Sequence, residues 1–318
     1  MSRSVLITTG VVVCIALTIP LFGNPYLTTH ATRILIYAIF AMSLDLLVGY
    51  CGLVSLGHAA FFGVAAYATA LLSAKIGVSN ILISLPLSTL TAALVALAIG
   101  LLTLRTGGIY FIMATLAFAQ MLFFLVNDSA FFGGSDGILL LTRFSLGTPS
   151  LSASDPVVRY YLTVAAAFLT FVFLYFLVRS PFGRILQGIK SNERRMRALG
   201  YSIARYKLAT FVIGGALAGL AGHLYVLLAS LADPSILDWV HSAQVLMMVI
   251  LGGMGTLVGP VIGAVLLIEL IDQAAEFTEH WKLIVGVVVV VITLFGKGGL
   301  AGLWAAVAAR LGLARSQP

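Results

Sequence analysis

Residues 33–74 read R-I-L-I-Y-A-I-F-A-M-S-L-D-L-L-V-G-Y-C-G-L-V-S-L-G-H-A-A-F-F-G-V-A-A-Y-A-T-A-L-L-S-A. Two apolar runs, 33–50 and 53–74, stand on either side of Cys51 and Gly52. As a helix, each is long enough to cross about 30 Å of hydrocarbon. Asp45 falls inside the first run and His58 near the start of the second.

Runs of the same kind recur along the chain, at 5–22, 81–104, 109–127, 159–178, 207–230, 237–253, 257–272 and 282–297. With the opening pair they make about ten transmembrane segments of an all-α polytopic membrane protein, some of them short or broken. The pair 237–253 and 257–272 is one long apolar stretch interrupted by Gly252, Gly253, Gly255 and Gly259, which reads as two shorter helices. Arg3 and the run 5–22 have the charged and apolar parts of a signal peptide. No A-x-A site follows, and Pro20, Gly23, Asn24 and Pro25 read as a helix end, so 5–22 is taken as an uncleaved first span. A transmembrane domain is expected over 1–298. A tail over 299–318 carries Leu300, Leu303, Trp304, Val307 and Leu311 at helical spacing, which suits an amphipathic helix at the interface.

Composition sets the class independently. The chain is 61% hydrophobic and 9% charged, with a mean hydropathy of +1.10. A soluble domain carries about a quarter charged residues, so this chain cannot cover a water-facing surface and its surroundings are membrane lipid. The net charge of +7 is not a nucleic-acid footprint, because the basic residues concentrate in one loop. With the N-terminus inside and ten spans, thirteen of the 18 Lys and Arg residues face the cytoplasm, eight of them in 179–207. That bias predicts an N-in, C-in arrangement. Cys14 and Cys51 sit in apolar runs and suggest neither a disulfide nor a metal site. The chain contains no G-x-x-x-x-G-K-[ST] loop, metal-ligand spacing or nucleophile–base pair. No cofactor is expected on it and no enzymatic activity of its own.

Two loops stand out. Residues 128–158 form the longest outer loop, rich in Gly, Ser, Asp and Pro; Gly134, Ser135, Asp136 and Gly137 are its candidate gate. That stretch suits a gate, a contact with a binding protein, or a simple turn. Residues 179–206 form the longest inner loop. Ser180-Pro181 opens a helix, Ile185, Ile189, Met196 and Leu199 recur on one face, and Gly200 ends it. One helix is expected over 181–200, lying on the membrane surface or seated in a groove of a soluble partner.

Asp45 has two readings as well, a group in the translocation pathway or a buried structural carboxylate. Gly57, His58 and Phe62 are the other pathway candidates; a lone interior histidine is equally a satisfied packing residue. Small-residue pairs at Ala59/Gly63, Ala66/Ala70, Gly215/Gly219 and Gly259/Gly263 read as helix-contact faces.

The run R-S-P-F-G-R-I-L-Q-G-I-K-S-N-E-R-R-M-R-A-L-G from Arg179, followed by Tyr206-Lys207-Leu208, resembles the coupling segment of ABC importer permeases. Residues 48–63 (V-G-Y-C-G-L-V-S-L-G-H-A-A-F-F-G), 133–138 (G-G-S-D-G-I) and 251–264 (L-G-G-M-G-T-L-V-G-P-V-I-G-A) look like further signatures of branched-chain amino acid permeases of the LivM type, in the same order. Arg194, Arg195, Met196 and Arg197 depart from it, standing where that family has small alanines. So does Asp45, where a neutral polar residue is more usual.

The resemblance implies a permease subunit of an importer in the bacterial cytoplasmic (inner) membrane, for branched-chain or other neutral amino acids. Urea, short amides or aromatic acids are the alternative substrates. It implies a related second permease, two ATPase subunits that bind ATP and Mg, and a substrate-binding protein as partners. On that pattern Arg184, Glu193, Ala198, Leu199 and Gly200 would carry the coupling to the ATPases. An ion-coupled secondary transporter, suited to broken spans and Asp45, is the competing class.

Overall fold

The computed structural model describes residue 20, residues 24–140, 142, 144–146 and 152–295. Most of the expected span 5–22, Cys14 and the tail from 299 lie outside the described residues.

The first described helix, α1 (Pro25–Asp45), continues without a break into a π-helical turn, Leu46–Cys51. Asn24 and Pro25, read above as part of the end of the preceding span, open this helix, which starts before the expected residue 33. The Asn24 side chain accepts from the Tyr26 amide at 3.0 Å, and Pro25 takes the first position, where its missing N–H costs nothing. The polar stretch that follows stays helical because its hydroxyls find partners within the helix. Thr28 donates to the Asn24 carbonyl at 3.1 Å and Thr32 to the Thr28 carbonyl at 2.7 Å. Asn80 and Asp155 cap α3 (Ile81–Thr103) and α5 (Pro156–Arg179) in the same manner.

The remaining helices are α2 (His58–Ile76), α4 (Ile109–Asn127), α6 (Pro181–Ser191), α7 (Glu193–Ala198), α8 (Ile203–Ala229), α9 (Trp239–Gly252), α10 (Gly259–Phe277) and α11 (Trp281–Phe295). Among the described residues the fold is helical apart from one two-stranded antiparallel ribbon, β1 (Ile138–Leu139) with β2 (Leu231–Ala232), and two isolated bridges at Ser145. Six helices are long and apolar enough to cross a membrane: α1 with its π turn, α2, α3, α4, α5 and α8. The three segments α9, α10 and α11 correspond to the last three expected spans, and α9 and α11 are shorter apolar helices.

The centre of the molecule is α1, 89% buried over its most apolar stretch and packed against α5, α8, α9 and α10. At the periphery, α3, α4 and α5 expose rows of large apolar side chains, among them Leu90, Leu94, Met121, Phe124, Phe173 and Phe176. Such surfaces are stable only against hydrocarbon or another apolar protein surface. Inside, small residues bring helix axes together. Gly215 faces Ala96 and Phe61, and Gly219 faces Ala92, joining α8 to α2 and α3. The break at Gly252–Gly259 makes α9 and α10 a tight hairpin, in which a methyl at Gly252 would collide with the Gly259 carbonyl.

Glu269 and Asp272 pair with the start of α1. His30 Nε2 is 2.7 Å from Glu269 Oε1, and Arg33 bonds Asp272. This half-buried cluster ties one end of α1 to α10.

Candidate functional site

The inner segment is built from local rules. The Ser180 hydroxyl accepts from the Gly183 amide at 3.5 Å and Pro181 takes the first turn, so α6 starts as expected. It does not run to Leu199. At Asn192 the backbone turns extended (φ −159°, ψ 96°), and the Asn192 side chain accepts from the Arg195 amide at 3.0 Å. An asparagine placed there serves the next helix as its cap better than it continues the first, so the expected single helix is two. Gly200 closes α7 with φ +87°, the left-handed conformation.

The expected apolar stripe divides. Ile189, with its neighbour Leu186, is buried against the chain's own core, at 3% and 0% exposure, Ile185 and Met196 are half-buried, and Leu199 is 67% exposed. Arg184, Arg194, Arg195, Arg197, Ala198 and Gly200 are exposed with it. Of the expected coupling residues, Glu193 is engaged internally. Its carboxylate accepts from Lys207 at 2.7 Å and from Arg197 at 3.3 Å, clasping α7 to the start of α8.

Asp45 belongs to a different group from the other pathway candidates. Its side chain is 1% exposed; Oδ1 accepts from the Gly255 amide at 2.8 Å, and Oδ2 has no partner among the described residues. One turn on, the Gly49 carbonyl accepts from Lys190 Nζ at 2.6 Å. A methyl at Gly49 would collide with both Asp45 Oδ1 and the Gly255 backbone nitrogen. The signature stretches around Gly49, Gly255 and Lys190 thus meet at one point. Sequence reasoning missed Lys190 as a site residue; it stood out only as one more charge in a basic loop.

Gly57, His58 and Phe62 lie in the buried core. Gly57 precedes α2 where a methyl would strike the Thr115 carbonyl. His58 Nε2 is 2.8 Å from the Ser43 hydroxyl, and its ring stacks on Phe40 at 5.6 Å. Phe62 stacks on the other side of this group, 4.6 Å from Phe40 and 5.3 Å from Tyr225. His241, 2.9 Å from the Tyr37 hydroxyl, completes the cluster and was not singled out in the sequence. Its lone histidine in an apolar run offered no pattern that would mark it.

The described part of the 128–158 loop contains two 3₁₀ turns, Ala130–Phe132 and Gly134–Asp136. Ser135 and Asp136 are exposed, with the Ser135 hydroxyl donating to Asp136 Oδ1 at 3.4 Å. Gly137 sits against the Ala232 carbonyl, where β1 pairs with β2 in register Ile138↔Ala232. Any movement of Gly134–Gly137 is therefore linked to the C-terminal end of α8. Beside the loop, Ala117, Gln120, Met121, Phe124, Leu125, Asp128 and Ser129 line an open groove of about 770 Å³ along α4.

A family model described as "Branched-chain amino acid transport system / permease component" matches residues 26–294. The chain is similar to the high-affinity branched-chain amino acid transport system permease protein LivM of Salmonella typhimurium, 31% identical over 292 residues, 85% of this chain and 68% of that relative. It is similar to LivM of Escherichia coli at 30% over the same shares. It also matches the permease protein LivH of Salmonella typhimurium, 22% identical over 281 residues, 84% of this chain and 91% of LivH. No solved structure matches the chain. The chain therefore belongs to the family of permease components of branched-chain amino acid transport systems.

Proposed function

We propose that this chain is one of the two permease subunits of an ATP-driven importer in the bacterial inner membrane, carrying branched-chain or other neutral amino acids. The family match over 26–294 carries this reading. Similarity to both LivM and LivH supports a heterodimer of two related permeases. The apolar groove along α4 is the kind of surface the second one covers. Two ATPase subunits bind ATP and Mg, and a binding protein delivers substrate to the outer loop at Gly134–Gly137.

In this reading the chain crosses the membrane ten times with both termini inside, so that α6 and α7 lie in the cytoplasm. Two structural features support a two-sided arrangement. The His30–Glu269 and Arg33–Asp272 pairs gather at one end of α1, while Lys190 and Gly255 gather at its other end. The coupling surface is the exposed side of α6–α7, from Arg184 to Gly200, where Leu199 adds apolar area to the arginines. Asp45, Gly57, His58 and Phe62 line the helices that part to let substrate through; their burial fits a closed resting state.

The test is reconstitution of both permeases, the ATPases and the binding protein in proteoliposomes. Uptake of labelled leucine, isoleucine or valine is expected only with ATP inside the ATPase-facing compartment and with binding protein opposite. Uptake that persists without ATP and follows an ion gradient would refute the reading.

A further inference from the structure

Lys190 lies on α6, beside the surface assigned to the ATPases, yet its ammonium does not face that partner. It donates to the carbonyl of Gly49, 141 residues earlier, at 2.6 Å. The carbonyl belongs to the π-helical turn that ends α1. A π turn is a weak place in a helix, because it holds one residue more per turn and its hydrogen bonds are readily exchanged. At Gly52, which caps that turn, a methyl would stand 3.2 Å from Lys190 Cγ. The lysine head thus bears on the π turn and its stem on the cap of that turn.

The second half of the node is Asp45, one turn before Gly49. Its carboxylate is buried, spends Oδ1 on the Gly255 amide and leaves Oδ2 unpartnered among the described residues. Lys190 holds the Gly49 carbonyl, so a displacement of α6 carries the π turn with it. Through Gly255 it also carries the turn between α9 and α10.

We propose that Lys190 and Asp45 are positioning residues that transmit motion of α6 to the π turn of α1 and to the α9–α10 hairpin. Neither touches ATP. The inference rests on the reading of α6–α7 as the coupling surface, and it names the route by which that surface reaches the helices around the substrate path.

The experiment uses the full complex in proteoliposomes. It measures ATP hydrolysis with and without loaded binding protein, and substrate imported per ATP hydrolysed. Lys190→Met is expected to leave basal hydrolysis and assembly in place while stimulation by the binding protein falls by about fivefold, within the range of pairwise couplings between contacting residues. Lys190→Arg should restore most of it. The Asp45→Asn, Lys190→Met double variant should lose no more than Lys190→Met alone. A lysine with a merely structural role would lower assembly or thermal stability and leave the stimulation ratio untouched.

Wild-type stimulation in Lys190→Met, alongside lost stimulation in Gly200→Val, overturns the tether and leaves the coupling surface standing. Wild-type stimulation in both variants overturns the coupling surface itself. Should Lys190→Met fail to assemble, Lys190→Gln, which keeps a donor on a shorter stem, takes its place. Assembly with lost stimulation supports the proposal. Assembly with full stimulation, or no assembly, overturns it.

Discussion

At the scale of single residues, two glycines show opposite reasons for having no side chain. Gly49 has a helical backbone but no room, with Asp45 Oδ1 and the Gly255 nitrogen where a methyl would go. Gly200 has open space around it but a φ of +87°. Gly49→Ala should overpack the node, at a cost of about 1–3 kcal/mol, and lower the melting temperature of the solubilised complex. An unchanged melting temperature would mean the node is looser than drawn. Gly200→Val is strained by roughly 1–2 kcal/mol in the left-handed region, and stimulation of ATP hydrolysis by loaded binding protein should fall. Gly200→Asn, which tolerates that conformation, should behave almost as wild type. Equal loss in Asn and Val would point to a contact at that position and away from backbone geometry.

At the scale of elements, the inner segment illustrates how a local signal outweighs a periodic one. Ile185, Ile189, Met196 and Leu199 fit one continuous helix, yet Asn192 divides it by capping α7. Asn192→Ala removes that cap, worth about 1 kcal/mol. Hydrogen exchange should accelerate at residues 193–199 while α8 stays protected. No change in that window would mean that the Glu193–Lys207 ion pair alone holds α7 in place. The split also explains the unusual basic stretch. Arg194, Arg195 and Arg197 point outward from a short helix, so their bulk costs nothing in packing.

At the scale of the molecule, the proposed topology puts the outer loop and the inner helices on opposite sides of the bilayer. In a background lacking Cys14 and Cys51, Ser135→Cys should react with a membrane-impermeant maleimide in intact cells. Arg194→Cys should react only after the membrane is opened. Both positions are exposed, so accessibility reports sidedness and not burial. Labelling of Arg194→Cys in intact cells would reverse the arrangement and remove α6–α7 from the ATPase side.

The membrane-helical class, six of the expected spans and the broken hairpin at Gly252–Gly259 were legible in the sequence. They depend on composition and on spacing within one segment, and lipid leaves the backbone little alternative to a helix. Ser180-Pro181 and Gly200 were legible for the same reason, since caps act over three or four residues. The start of α1 was placed late, at residue 33, because Asn24-Pro25 suits a beginning as well as an end. Ile189 was visible in the apolar stripe, but Leu186 was not part of it. Only the tertiary structure shows both buried in the chain's own core and Leu199 left exposed. The same holds for the node at Gly49. Asp45 and Gly255 are 210 residues apart, and Lys190 and Gly49 are 141 apart. No local pattern encodes such a meeting; it exists only because α1, α6 and the α9–α10 turn pack together, and a buried carboxylate and a close-packed glycine acquire their meaning from what lies against them.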